Sequence, residues 1–157
     1  MSLRELAGRS KGRGGRHGRL LTPREIRRIR RRGYRAEREL VKRLRECGFK
    51  SVRIPLSAPS SEPLPDIFAT RGDCIIAIEV KAPNSERAYF REEQIKKLFD
   101  FLDLFEAYRR RIAIIAAKFP YKWVLKVVDK PADYVIQKSE RGDVTPRSFN
   151  KLIDENK

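Results

Sequence analysis

Apolar side chains return every three or four positions between residues 26 and 47: Ile26, Ile29, Ala36, Leu40, Val41, Leu44 and Cys47, with Gly33 on the same line. That spacing predicts one long amphipathic helix. Its start is marked by Thr22-Pro23-Arg24-Glu25, with Thr22 as N-cap, Pro23 in the first turn and Glu25 three residues after the cap. Gly48 supplies the stop. Gly33 marks a candidate break, since glycine costs about 1 kcal/mol in a helix interior. Beyond Gly48 the period changes. A strand is expected over 49–54, followed by a Pro/Ser-rich loop over 55–63 and a short strand over 66–69. The turn Arg71-Gly72-Asp73 then leads into an apolar run over 74–81, and the last two strands form a hairpin. After a loop over 82–88, a second helix is predicted over 91–108, with Ile95, Leu98, Phe99, Leu102, Phe105 and Tyr108 on one face. Two further strands follow over 112–118 and 123–128. The tail is ambiguous, with 149–154 a candidate short helix. This order predicts an α/β fold: a central mixed five-stranded sheet flanked by helices.

Charge adds a basic arm to that picture. The 157 residues carry a formal charge of +16, and residues 1–32 alone hold twelve Lys or Arg against two Glu. Residues 1–21 bury too little apolar surface to fold alone and are expected to be a disordered basic arm. The folded domain is expected over 22–132, and 133–157 is an extension of uncertain structure. One domain fits this length. The excess charge favours polyanions, chiefly nucleic acid, although a solubilising tail has the same composition. Cys47 and Cys74 fall inside apolar patterns and read as free thiols of a reducing compartment. No run approaches the ~20 apolar residues of a membrane span, and the N-terminus has no signal-peptide core. A cytoplasmic protein is expected.

Candidate chemistry lies at the end of the third strand. Glu79 and Lys81 project to one face, roughly 7 Å apart along the backbone, while Ile76, Ile78 and Val80 take the other. Asp66 follows Pro65 at the start of the preceding strand. Glu37 sits three before Leu40 and four before Val41, on or beside the core-facing stripe, where an acid is costly unless paired or metal-bound. Each has an ordinary reading as well. Glu37 could be a rim residue paired with Arg38 or Arg45, Asp66 a turn residue, and Glu79 with Lys81 a strand-end ion pair.

Taken together, Pro65-Asp66 and Glu79-Val80-Lys81, behind a helix bearing Glu37, resemble the PD-(D/E)xK nuclease superfamily. Longer strings narrow this to the archaeal Holliday-junction resolvases. Gly33-Tyr34-Arg35-Ala36-Glu37-Arg38-Glu39-Leu40-Val41 resembles their opening helix. Residues 48–57 resemble their first strand and serine-bearing loop, and Leu64-Pro65-Asp66-Ile67 with Ile78-Glu79-Val80-Lys81 their metal site. Tyr89-Phe90-Arg91-Glu92-Glu93-Gln94 resembles the start of their second helix. The likeness covers roughly 31–128.

The resemblance implies a restriction-endonuclease-like core and a homodimer. It implies paired nicking of opposing strands of a four-way DNA junction with Mg²⁺, for which Mn²⁺ could substitute. Glu37, Asp66, Glu79 and the Val80 carbonyl would be the metal ligands, Lys81 would act on the attacking water, and Ser57 would contact the scissile phosphate unless it is an ordinary loop hydroxyl. Gln94 could touch the attacking water or be a plain helix-start residue. Arg38 and Arg53 would hold DNA, with Arg30, Arg31, Arg32 and Arg35 extending the basic surface. The dimer surface is expected on Phe99, Phe101, Phe105, Tyr108 and the last strands. Other recombination proteins are conceivable partners, unreadable from the chain. Two rivals stay open: another nuclease of the superfamily acting on duplex or branched DNA, and an inactive nucleic-acid-binding module.

Overall fold

The structure, a computed structural model, describes residues 18–55 and 61–154. Helix α1 spans Pro23–Glu46 and opens on the expected reciprocal cap: Glu25 N–H donates to Thr22 Oγ1, and Thr22 N–H donates to Glu25 Oε2 at 2.7 Å. It runs unbroken through Gly33, where an added Cβ would meet nothing within 4 Å. Packing of the stripe outweighs the local cost of that glycine. Gly48, at φ 84°, turns the chain out of the helix in the left-handed region that glycine tolerates.

Strand β1 (Lys50–Arg53) follows, then β2 (Ile67–Arg71) and β3 (Cys74–Lys81). β4 (Arg87–Phe90) and helix α2 (Glu92–Asp103) lead to β5 (Arg110–Phe119) and β6 (Lys122–Val128). The main sheet has the order β1-β2-β3-β5-β6, with β3 and β5 parallel and the other pairs antiparallel. Turns at Gly72 and at Tyr121 (φ 62°) close the β2–β3 and β5–β6 hairpins.

Each face of the sheet carries a core. Leu40 and Leu44 of α1 pack with Ile67, Ile76, Ile78 and Ile114 on one side. Ile95, Leu98 and Leu102 of α2 pack with Ile75, Ala77, Ile115 and Val124 on the other. Each such burial contributes about 1.5–3 kcal/mol relative to exposure. β3 is apolar on both faces because both are covered. Its alternation puts Cys74, Ile76, Ile78 and Val80 in the α1 core, and Ile75 and Ala77 in the α2 core.

Three expectations need correction. The 82–88 loop is shorter than predicted, because β4 pairs antiparallel with β7 (Tyr134–Gln137) in a second, two-stranded sheet. Both strands are four residues long and distant in sequence, so neither leaves a readable run. Helix α2 ends at Asp103; Leu104, Phe105 and Tyr108 continue in tight turns, and Phe105 keeps stacking on Phe101 at 5.0 Å. Helical spacing of aromatics thus outlasts the helix. The aromatic set expected at a dimer surface is corrected for Phe101, which is buried in the second core; Phe99, Phe105 and Tyr108 pack against that core and stay partly exposed.

The tail is integral to the fold. Asp143 N–H donates to Leu125 O at 2.8 Å, Asp143 Oδ2 accepts from Val127 N–H, and Val144 bridges to Leu125 along the outer edge of β6. Phe149 is fully buried, edge-on to Phe49, just before the short helix α3 (Lys151–Asp154). Among the described residues, no helix is long and apolar enough to cross a membrane, and both cysteines are free: Cys74 buried, Cys47 half-buried.

Candidate active site

Asp66 lies one residue before β2, yet its backbone is fixed on both sides. Its carbonyl accepts from Ile54 N–H at 2.8 Å, and its own N–H donates to Ile78 O at 3.2 Å. Its carboxylate accepts from Val80 N–H at 2.8 Å, which sets the acid beside the end of β3. Glu79 is buried on that strand, and the Asp66 carboxylate beside it disfavours its charged form. Lys81 follows at the half-buried strand end, in register with Ala117.

All three sequence-singled acids feel one another. Burial raises Glu79 well above the ordinary glutamate range, Asp66 and Glu37 raise it further, and Lys81 opposes them. Asp66 is also raised by burial, against the bond from Val80 N–H and the charge of Lys81. Glu37 is pushed up to about 7 by burial and by Asp66, although its bond to Arg53 pulls the other way. Asp66 and Glu79 thus meet at the strand ends, and the Glu37 carboxyl on α1 is near enough to feel the charge of Asp66.

Glu37 is not paired with Arg38 or Arg45. Its carboxylate accepts from Arg53 Nε at 2.5 Å, and the Arg53 guanidinium lies over the Tyr34 ring at 4.5 Å from its centre. Arg45 bonds Ser51 O instead. Tyr34 had no role in the sequence reading; an aromatic three residues before Glu37 in an arginine-rich stretch was the available signal. Arg32, expected at DNA, donates to Ala82 O at 2.7 Å and ties α1 to the residue after Lys81. Arg30, Arg31, Arg35 and Arg38 are exposed on α1. Gln94 Oε1 accepts from Arg91 N–H and thereby caps α2. Ser57 lies outside the described residues.

Among the described residues, no group of three or more His, Cys, Asp or Glu side chains is gathered to hold an ion. The third carboxylate, Glu37, is engaged by Arg53. Asp66 and Glu79 nonetheless form a donor set suited to a hard divalent cation: two neighbouring carboxyls whose charged forms are disfavoured by burial, an effect that Lys81 opposes at both.

Comparison with known proteins agrees with this geometry. The family model described as archaeal Holliday junction resolvase (hjc) matches residues 28–151. The crossover junction endodeoxyribonuclease Hje of Saccharolobus solfataricus is 42% identical over 106 residues, 66% of this chain and 77% of that protein. Its counterpart from Sulfolobus acidocaldarius is 48% identical over 93 residues, 58% of this chain and 66% of that one. Among solved structures, Archaeoglobus fulgidus Hjc, a Holliday junction resolvase from an archaeal hyperthermophile, superposes with a TM-score of 0.57 at 28% identity, covering 68% of this chain and 89% of that one. With one family spanning both cores and the Asp66–Glu79–Lys81 cluster, the chain belongs to the archaeal Holliday junction resolvases.

Proposed function

We propose that this chain is a cytoplasmic endonuclease that resolves four-way DNA junctions, acting as a homodimer with Mg²⁺ and nicking opposing strands in pairs. The observation that carries this reading is the Asp66–Glu79 pair beside Lys81, inside a chain of the resolvase family. Asp66 and Glu79, with the Val80 carbonyl, would hold the cation, and Glu37 would join them once released from Arg53. When bound, the ion supplies Lewis-acid polarisation of a phosphate oxygen and lowers the pKa of a coordinated water. Mn²⁺ has the same preference for oxygen ligands and would substitute.

The chain's own groups do the rest. Lys81 is a donor at the strand end, placed to orient the attacking water and to stabilise charge developing on the phosphate. Arg32 holds the backbone just beyond it. Ser57 would contact the scissile phosphate from its loop. Arg30, Arg31, Arg35 and Arg38 would bind backbone phosphates, while Arg53 could reach DNA only by giving up Glu37.

The test is incubation of the protein with a synthetic four-way junction and with a sequence-matched linear duplex, each with and without Mg²⁺. Paired nicks in opposing strands of the junction, dependent on Mg²⁺ and scarce on the duplex, are expected. Equal rates on both substrates would reassign the chain to a general nuclease.

A further inference from the structure

The outer face of α1 carries more positive charge than the cluster uses. Arg24, Arg28, Arg31, Arg35, Arg38 and Lys42 follow one another in steps of four, three, four, three and four. At roughly 100° per residue these six form one ridge, about 27 Å long, on the side of the helix away from Leu40 and Leu44. All six are exposed, and none has an ionic partner among the described residues. The first turns add a groove lined by Arg24, Arg27, Arg28 and Arg31 alone. An ordinary solvated face mixes signs and gains from pairing; like charges three and four apart repel and weaken their own helix. The cost falls on a helix whose other positions are well suited to it, so a binding role is the natural source of compensation.

We propose that this ridge, which takes in Arg31, Arg35 and Arg38 and extends them through Arg24, Arg28 and Lys42, holds the phosphate backbone of a duplex arm other than the one being cut. This rests on the resolvase reading and adds to it. Glu37 lies about two-fifths of a turn from the ridge line, so a backbone along the ridge does not coincide with a phosphate at Asp66 and Glu79. Five of the six are guanidinium groups, suited to forked phosphate contacts. A length of about 27 Å matches roughly eight base-pair steps at 3.4 Å each. A four-way junction presents more than one duplex arm to the protein that binds it. Arg24 precedes the 28–151 stretch shared with the family, so the ridge extends beyond that core.

The test compares two triple variants of the full chain with equal loss of charge. One is Arg24→Gln, Arg28→Gln and Lys42→Gln; the other takes Arg87, Arg109 and Lys130, exposed and away from α1, to Gln. Junction binding is titrated without divalent ions across a salt series, so nothing depends on cleavage. The ridge variant should bind at least about tenfold more weakly, with a log–log salt slope shallower by about 2–3. The control set should change affinity far less. Because repulsion is relieved, the ridge variant should melt no lower than the parent. Equal losses in both sets would reduce the effect to net charge, and undiminished binding or a lower melting temperature in the ridge variant would remove the ridge as a binding surface. Failure of the parent to prefer junctions when nicking, with the ridge effect intact, would remove only the resolvase reading.

Discussion

Asp66 combines a fixed backbone with a carboxyl whose charge is disfavoured by burial, and the two can be separated by substitution. Asn at 66 keeps a carbonyl oxygen for Val80 N–H but loses the negative charge, and Gln at 79 does the same for the partner. Either Asp66→Asn or Glu79→Gln should lower Mg²⁺-dependent nicking at least about a hundredfold. Junction affinity, measured in EDTA, should stay within about twofold or tighten, since a carboxylate facing phosphates has been removed. Loss of binding together with nicking would instead indicate that these acids hold the fold. The residues of this pair were readable because strand alternation and a short spacing are local facts. The Glu37–Arg53 pair was not, although Glu37 stood out as an acid on an apolar stripe. Its partner comes from a strand sixteen residues away and rests on Tyr34, and side-chain pairing across elements leaves no period in a sequence.

At the scale of elements, α1 and the β2–β3 hairpin were legible because each carries its own punctuation: a capping box, Gly48, and Gly72 in a two-residue turn. β4, β7 and the tail were not, since their order comes from partners distant in the chain. Gly142 shows what holds the tail. A Cβ there would lie 2.7 Å from Leu125 O and 2.8 Å from Leu125 N, both backbone atoms of β6 that cannot turn aside. Gly142→Ala should therefore destabilise the protein by about 1–3 kcal/mol, read as a shift of the urea midpoint. Gly33→Ala is the matched contrast. Its Cβ would enter open space inside a helix, so a gain of about 1 kcal/mol is expected. A neutral Gly142→Ala would mean that the tail lies on β6 less closely than this backbone contact implies.

For the whole molecule, the site's acids set a pH dependence opposite to that of most proteins. Glu37 rises from 4.5 to about 7 on folding, and Asp66 and Glu79 move in the same direction. A carboxyl whose folded pKa is raised holds its proton in the native state after the unfolded chain has lost it. Native protein then binds more protons than unfolded protein, so stability falls as pH increases through that window. For Glu37 the window runs from 4.5 to about 7. Glu25 shifts the other way through its cap, but its window lies below the ordinary glutamate value and is closed by pH 5. Ordinary surface carboxylates are largely ionised at pH 5, so the general +16 repulsion changes little across the range. In EDTA, the urea midpoint should thus be higher at pH 5 than at pH 8, by an amount on the order of 2–3 kcal/mol in unfolding free energy. Mg²⁺ should raise stability at pH 8 more than at pH 5, because it competes with protons for the same oxygens. Glu79→Gln should flatten the apo profile. A metal-free midpoint that climbs from pH 5 to 8 would show that the carboxyls are already compensated, and that the cluster is not held short of positive charge.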